Sequence, residues 1–213
     1  MKRAWLCNLV QLAVGVYVTT LVMHTWLLMG LVAPVTVAGS SMAPTLDGPR
    51  RVFHCDTCRS DFLVGIDQLV DAEQALCPRC GLAARKASSS DVRPDRLLID
   101  RTAFALRAPR RWEVVVFRSP IDASELFVKR ILGLPSETVA LWPGGVEIDG
   151  NAVPLPPATQ WKLRPGDRRD YRLGPTEYFV VGDNGEVSDD SRSWLTGAGL
   201  DAMLIVGKPL GVR

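Results

Sequence analysis

Histidine is almost missing from this chain: there are two in 213 residues, His24 and His54. His24 lies inside a long apolar run and His54 directly precedes Cys55, so neither offers a credible base for a Ser-His-Asp arrangement. A cysteine nucleophile is as poorly supplied, because four of the five cysteines fall into two CxxC pairs. Excess charge is also absent. Lys and Arg number 25 against 23 Asp and Glu, and a net charge of +2 carries no nucleic-acid signal. Outside the N-terminal run no long helical period is visible. A serine enzyme made from this inventory would need lysine as its base.

What is present begins with an apolar run from Leu9 to Ala33, preceded by Lys2 and Arg3. At roughly 25 residues it exceeds the ~20 needed to cross a bilayer and the ~7–15 of a cleavable signal peptide. It reads as a retained single-pass anchor, with residues 1–34 forming a cytoplasmic tip and a transmembrane segment. Lys2 and Arg3 favour a cytoplasmic N-terminus, which puts the rest of the chain on the non-cytoplasmic side of the cell inner membrane. Gln11 and His24 interrupt the run, and an ionisable group at membrane depth is by default a functional candidate. No acidic residue in the run could complete a relay, however, and an imidazole bonded to a carbonyl or to a partner helix is the simpler reading. Cys7 carries no usable pattern.

Between Arg51 and Lys86 the composition changes abruptly. Cys55 with Cys58, and Cys77 with Cys80, have the spacing of a four-thiolate zinc ribbon, each turn aiming two sulfurs at one ion and Gly81 permitting the second knuckle. Residues 51–86 are therefore expected to be an inserted ribbon around a structural Zn. Oxidation to disulfides is the rival, given the inferred compartment. His54 could ligate, but four cysteines already fill the site. So small a segment needs a staple, and with no coordination position left open it is expected to be remote from any chemistry. Ala87 to Asp91 reads as the linker out of it.

From Pro94 onward short β-rich runs dominate: RLLID, WEVVVF, ELFVKRIL, ETVAL, VEIDG, EYFVVG and MLIVG, separated by Pro, Gly and Asp turns. Asp149-Gly150-Asn151 is a hairpin turn. Residues 35–50 and 87–213 are thus expected to form a mainly β, antiparallel domain.

Two stretches could carry chemistry. In VTVAGSSMAPTL, Val35 to Leu46, a short alternating strand leads into Gly39, Ser40 and Ser41, a bend able to hold a hydroxyl out of the sheet. In Phe127 to Leu132, alternation puts Lys129 on one face with Phe127 and Ile131. A lysine is a poor base near its usual ~10.4 until burial lowers it; a drop of ~3–4 corresponds to ~4–5 kcal/mol, a cost tolerated chiefly where function needs it. Arg130 points the other way and needs a carboxylate. The loop GDNGEVSDDSRSW supplies Asp183, Ser188, Asp190 and Arg192, and the apolar EYFVV strand brings its start to the core.

Together these residues resemble the bacterial type I signal peptidases, membrane-bound Ser-Lys endopeptidases that remove signal peptides from exported preproteins. Four blocks match in order behind the anchor: GSSMAPTL, RPDRLLIDRTAFALRAPRRWEVVVF, FVKRILGLPSETV and GDNGEVSDDSR. The resemblance implies a signal-peptidase-like β fold, Ser41 as nucleophile and Lys129 as its general base. It further implies that Ser188 orients the amine, Asp183 pairs with Arg130, and Asp190 pairs with Arg192. Substrate would add as a strand between Pro34–Gly39 and Leu126–Val128, with Val37, Met42, Leu46 and Val128 lining shallow pockets for small side chains. Preproteins and the lipid bilayer would be the partners, and catalysis would need no cofactor.

Three features depart from the family pattern. Gly39 stands where some members have a serine that helps bind the oxyanion, leaving the Ser41 amide with water or another main-chain group; Gly39→Ser is then expected to raise turnover. If glycine is there for a positive φ, both Gly39→Ser and Gly39→Ala should lose activity instead. Trp112-Glu113 and Ser136-Glu137 replace Gly-Asp pairs, which puts those turns in question, and the cysteine insertion has no counterpart in the pattern. Two other functions fit the same residues: a specialised Ser-Lys processing peptidase for one exported partner, and a non-enzymatic membrane-tethered ribbon that binds protein. Retention of both Ser41 and Lys129 argues against the latter.

Overall fold

The computed structural model describes residues 2–87, 91–142, 145–157, 159, 161, 168–194 and 197–212, apart from the side chains of 2–4, 6, 7 and 26–29. The readings of the Lys2 and Arg3 charges, of Cys7 and of linker residues 88–90 therefore lie outside what is described.

Helix α1, Lys2–Leu31, is 30 residues long, about 45 Å at 1.5 Å per residue. Its Asn8–Thr25 window is apolar enough to cross a membrane and none of it is buried against the rest of the chain. The Thr19, Thr20 and Thr25 hydroxyls donate back to the carbonyls of Gly15, Val16 and Leu21 at 2.8, 2.8 and 2.9 Å. Such back-bonding removes the cost of carrying hydroxyls through an apolar medium. Strand β1, Val32–Thr36, follows at once and begins three residues before the alternation of Val35 suggests.

The insertion contributes β2 (Arg50–Cys55), β3 (Ser60–Gly65), β4 (Gln74–Leu76) and β5 (Ala83–Lys86), an antiparallel sheet in the order β3-β2-β5-β4. Next come β6 (Arg96–Asp100), β7 (Val114–Arg118) and β8 (Leu126–Gly133). A side sheet is formed by β9 (Thr138–Trp142), β10 (Gly145–Ile148), β11 (Asn151–Val153) and β12 (Arg169–Arg172), in the order β11-β10-β9-β12. The chain closes with β13 (Glu177–Val181), β14 (Leu200–Asp201) and β15 (Ile205–Pro209), which complete a seven-stranded sheet, β1-β6-β15-β7-β8-β13-β14. The protein is mainly β and its strand pairs are antiparallel, as the run of short alternating segments implies. The hairpin forms at Asp149-Gly150, with Ile148 opposite Asn151 and both turn residues left-handed (φ 49° and 79°), the geometry of a two-residue turn.

β8 and β13 lie between two apolar cores. Leu132, Phe179 and Val181 face the side sheet with Val139 and Leu141, while Ile131, Tyr178 and Val180 face Val115, Phe117 and Trp194. Neighbours in a strand point to opposite faces, and here both faces are buried. This is why Lys129 and Arg130, adjacent on β8, are only 4% and 3% exposed although they point apart. The two altered turns keep the conformation that glycine favours: Trp112 and Ser136 have φ of 69° and 68°. Each is followed by a glutamate that accepts from its own turn, Glu113 from the Arg110 amide (2.9 Å) and Glu137 from the Leu134 amide (2.6 Å).

Candidate active site

Ser41 sits in the bend after β1, partly exposed, and Lys129 approaches it from β8. The Nζ to Oγ distance is 2.6 Å, a hydrogen bond across 88 positions of sequence. Burial pushes the Lys129 amine down to about 8 from 10.5, the nearby Arg192 charge adds to this, and the carboxylates of Asp190, Asp189 and Asp183 work against it. Nζ also lies 5.6 Å from the centroid of the Phe127 ring, on the face the alternation assigned to both. The lysine can therefore shed its proton near neutral pH beside a serine hydroxyl.

Two ion pairs hold the neighbourhood, one buried and one partly buried. Arg130 donates to Asp183 through Nε and Nη2 at 2.8 and 2.7 Å and to the Trp112 carbonyl at 2.8 Å. Thr45 hydroxyl donates to the same carboxylate, tying the serine loop to it. Arg192 donates to Asp190 through Nε and Nη2 at 2.8 and 2.7 Å, and Asp190 also accepts the Gly182 amide at 2.9 Å. Burial raises the Asp190 pKa, but the Arg192 bonds and charge outweigh it and leave the carboxyl below its usual range.

Gly182 is packed tightly here. A Cβ on it would lie 2.2 Å from Ser188 Oγ and 2.4 Å from the Ser41 carbonyl oxygen, so only glycine fits. The Asn184 amide holds that Ser41 carbonyl at 3.0 Å. Trp161 donates from Nε1 to the Gly182 carbonyl at 2.7 Å, and Arg192 lies over its ring.

Ser188 differs from the expectation. Its Oγ is buried and makes no hydrogen bond of ordinary geometry among the described residues, so the bond expected to orient Lys129 is not formed; it stands close enough to Asp190 to help keep that carboxyl ionised. Val37, Met42 and Leu46 are also more enclosed than pocket-lining residues would be. They are 8%, 1% and 3% exposed and pack with Leu97 and Val114, with Val128 partly buried against them, so they form the floor beneath the serine loop.

The substrate-strand expectation depends on free edges. β1 terminates its sheet. On β8, Arg118 to Val116 of β7 pair with Leu126 to Val128 on one side, whereas β13 pairs only from Arg130 onward on the other. Among the described residues the Leu126–Val128 half thus keeps one unpaired main-chain edge, as β1 does, and unpaired edges accept an added strand.

In the insertion, Cys55, Cys58, Cys77 and Cys80 place their sulfurs within 4.8 Å of one another, with Cys55 to Cys80 at 3.6 Å and Cys58 to Cys77 at 3.9 Å. Four thiolates at about 2.3 Å around a tetrahedral ion stand about 3.8 Å apart, so the cluster could bind a metal. The Cys80 and Arg79 amides draw Cys77 down to about 6, while the thiol hydrogen bond with Cys80 and burial push Cys58 up to about 12. Both knuckles turn through left-handed residues, Arg59 (φ 50°) and Gly81 (φ 73°). His54 is turned away and bonds Asp61 at 2.6 Å.

The ribbon is not remote from the serine, contrary to expectation. Asp67 of the insertion accepts from the Ser40 amide at 2.8 Å and from the Ser40 hydroxyl at 2.6 Å. No sequence signal marks Asp67 or Trp161, because each acts across a long separation; Thr45 stands in the GSSMAPTL run and Gly182 in the GDNG run, but the bond of the one and the tight fit of the other are properties of packing.

A β-rich domain behind an apolar helix, with a serine hydroxyl bonded to a buried lysine of depressed pKa, has the makings of a serine-lysine hydrolase. The family "Signal peptidase, peptidase S26" matches residues 9–209, and the chain belongs to it. It is 36% identical over 132 residues to "Probable signal peptidase I-2" of Synechocystis sp., covering 52% of this chain and 55% of that one. With "Signal peptidase I" of Leptolyngbya laminosa it shares 34% over 113 residues, 47% of this chain and 52% of the relative. With that of Pseudomonas aeruginosa it shares 30% over 124 residues, 46% and 44% respectively. The chain spans about half the length of the curated relatives it matches. A solved signal peptidase I from Enterococcus faecalis aligns at 23% identity with a TM-score of 0.39, over 48% of this chain and 97% of that one.

Proposed function

We propose that the protein is a signal peptidase I, a membrane-anchored serine endopeptidase that removes N-terminal signal peptides from exported preproteins. The observation that carries this reading is the 2.6 Å contact between Ser41 Oγ and a Lys129 amine lowered to about 8. A preprotein segment adds as a strand between the free edges of Pro34–Gly39 and Leu126–Val128. Ser41 Oγ attacks the carbonyl carbon after a small residue, and Lys129 accepts the hydroxyl proton. The Ser41 amide, which has no acceptor among the described residues, donates to the oxyanion. Collapse breaks the C–N bond, the Lys129 proton passes to the leaving amine, and an acyl-enzyme remains. Water, deprotonated by the same amine, hydrolyses the ester and restores both residues. The pairs of Arg130 with Asp183 and of Arg192 with Asp190 fix the loop around this site.

α1 anchors the enzyme in the inner membrane as a single pass, with the domain on the non-cytoplasmic face where signal peptides emerge. The four cysteines hold one structural zinc with no open position, and metal analysis should find about one per chain.

Purified full-length protein in detergent, incubated with a preprotein, should release a product whose new N-terminus follows a small residue at the signal junction. Ser41→Ala and Lys129→Ala should each abolish this, and the double variant should be no worse, because the pair acts as a unit. Substantial turnover by Lys129→Ala at neutral pH would remove lysine from the mechanism. Cleavage confined to a single exported partner would favour a specialised processing peptidase.

A further inference from the structure

The insertion leaves the domain and then bends back to Ser40, the residue before its reactive serine. Its neck is closed by reciprocal main-chain bonds between Arg50 and Val92 (3.1 and 2.8 Å) and by the Arg51–Asp91 ion pair at 2.8 Å. β3 returns antiparallel to β2, and the Ile66 amide donates to the Pro49 carbonyl at 2.9 Å. This seats the short turn Ile66–Gln68 over the bend before Ser41. There both oxygens of Asp67 are used, Oδ2 by the Ser40 amide and Oδ1 by the Ser40 hydroxyl.

The surroundings are shaped for that contact. Ser40 is 4% exposed, so its two donors have no recourse to water. A Cβ on Gly65 would fall 1.9 Å from Ser40 Oγ, and one on Gly48 would lie 2.7 Å from the Gly39 carbonyl oxygen. Only glycines let β3 and the loop close on the bend. The Asp67 carboxylate makes no hydrogen bond to the ribbon itself among the described residues, so folding the ribbon does not require it.

We infer that Asp67 is a positioning residue for the Ser41 nucleophile, through which the metal-dependent fold of the insertion controls the rate of peptide cleavage. Asp67 holds the amide and hydroxyl of Ser40 while the Ala43 amide holds the Ser40 carbonyl at 3.1 Å, so the residue before the nucleophile is fixed at both ends, and with it the peptide plane that carries the Ser41 N–H. Asn184 grips the other side of the same residue, at the Ser41 carbonyl. With Asp67 removed, the bend keeps its Ala43 and Asn184 contacts but loses both bonds that hold the Ser40 amide and side chain, and misplacement by about 1 Å costs on the order of 100-fold. The thiolate cluster acts through β2 and β3, whose last register pair is Cys55 with Ser60.

The inference rests on the Ser-Lys peptidase reading, and the test separates the two. Full-length protein in detergent is assayed on a preprotein as wild type, Asp67→Ala and Asp67→Asn, each with bound metal and after metal removal by a chelator under reducing conditions. Asp67→Ala is expected to lower kcat about 10- to 100-fold, with KM within about twofold and the pH midpoint and bound metal unchanged. Metal removal should bring wild type down to the Asp67→Ala level and leave Asp67→Ala within about twofold of where it was. Wild-type kcat in Asp67→Ala overturns the inference, as does an equal fractional loss in both proteins on metal removal. Should Asp67→Ala lose metal or unfold, Asp67→Asn, which keeps the shape and one acceptor, decides instead: reduced kcat with metal retained supports positioning, and wild-type kcat overturns it. A wild type that does not cleave, or a Ser41→Ala variant that does, defeats the peptidase reading itself.

Discussion

Replacing Lys129 with methionine should abolish cleavage and make the protein more stable. The lysine is 4% exposed, and burial holds its amine at about 8 instead of 10.5, which corresponds to roughly 3 kcal/mol against the charged form. The carboxylates of Asp190, Asp189 and Asp183 already offset part of the desolvation in that value. The folded pKa lies below the unfolded one, so the penalty is fully felt below pH 8, where both states are protonated. Between about pH 8 and 10.5 the unfolded chain holds a proton that the folded chain has lost, and stability climbs with pH until both are neutral. Methionine matches the length and flexibility of the side chain without the charge. Lys129→Met should therefore gain up to roughly 3 kcal/mol at pH 7 and little at pH 10.5. Denaturant unfolding of both proteins across this range measures the difference. An equal gain at pH 7 and pH 10.5, or a loss at pH 7, would refute the claim that the cost is that of a buried charge. The same proton governs the rate, so wild-type turnover should rise about tenfold per pH unit below the midpoint and flatten above pH 8.

Other outcomes follow from the same geometry. Asp183→Asn leaves the Arg130 guanidinium, 3% exposed, without its anion and should cost about 3–5 kcal/mol, much of it recovered in Arg130→Met with Asp183→Leu; thermal unfolding of the set checks this. Gly39 has no positive φ, and a Cβ there would stand 3.3 Å from Asp67 Oδ2. The added hydroxyl of Gly39→Ser should bond that carboxylate in place of the oxyanion, so turnover is expected not to rise, which revises the expectation from sequence; a rise measured on the preprotein would restore it. Ser136 has φ 68°, and Ser136→Gly should raise the unfolding midpoint by relieving up to ~1–2 kcal/mol of left-handed strain, less the entropy that glycine adds to the unfolded chain. A fall in midpoint would show that the turn needs the serine.

Much of the protein could be read without coordinates. Elimination of histidine left lysine as the only base, alternation in Phe127–Leu132 put Lys129 and Arg130 on opposite faces, and the two CxxC pairs announced a thiolate cluster. Each of these is a local property: the spacing of side chains along a strand or turn determines where they point. What alternation could not say is that both faces of β8 are covered, because that depends on a side sheet and a second core supplied by distant strands. The same limit applies to Ser188, whose missing bond is a matter of rotamer and packing, and to Met42 and Leu46, which sit in the floor. It applies most to Asp67. A carboxylate in an insertion, 27 positions from the serine it grips, carries no periodicity or motif. The sequence determined which residues could make a serine nucleophile and its base; the tertiary structure alone decided that the inserted segment grips Ser40, the residue before that nucleophile, because the contact is made by chain reversal at β2 and β3 and by two glycines that let them close.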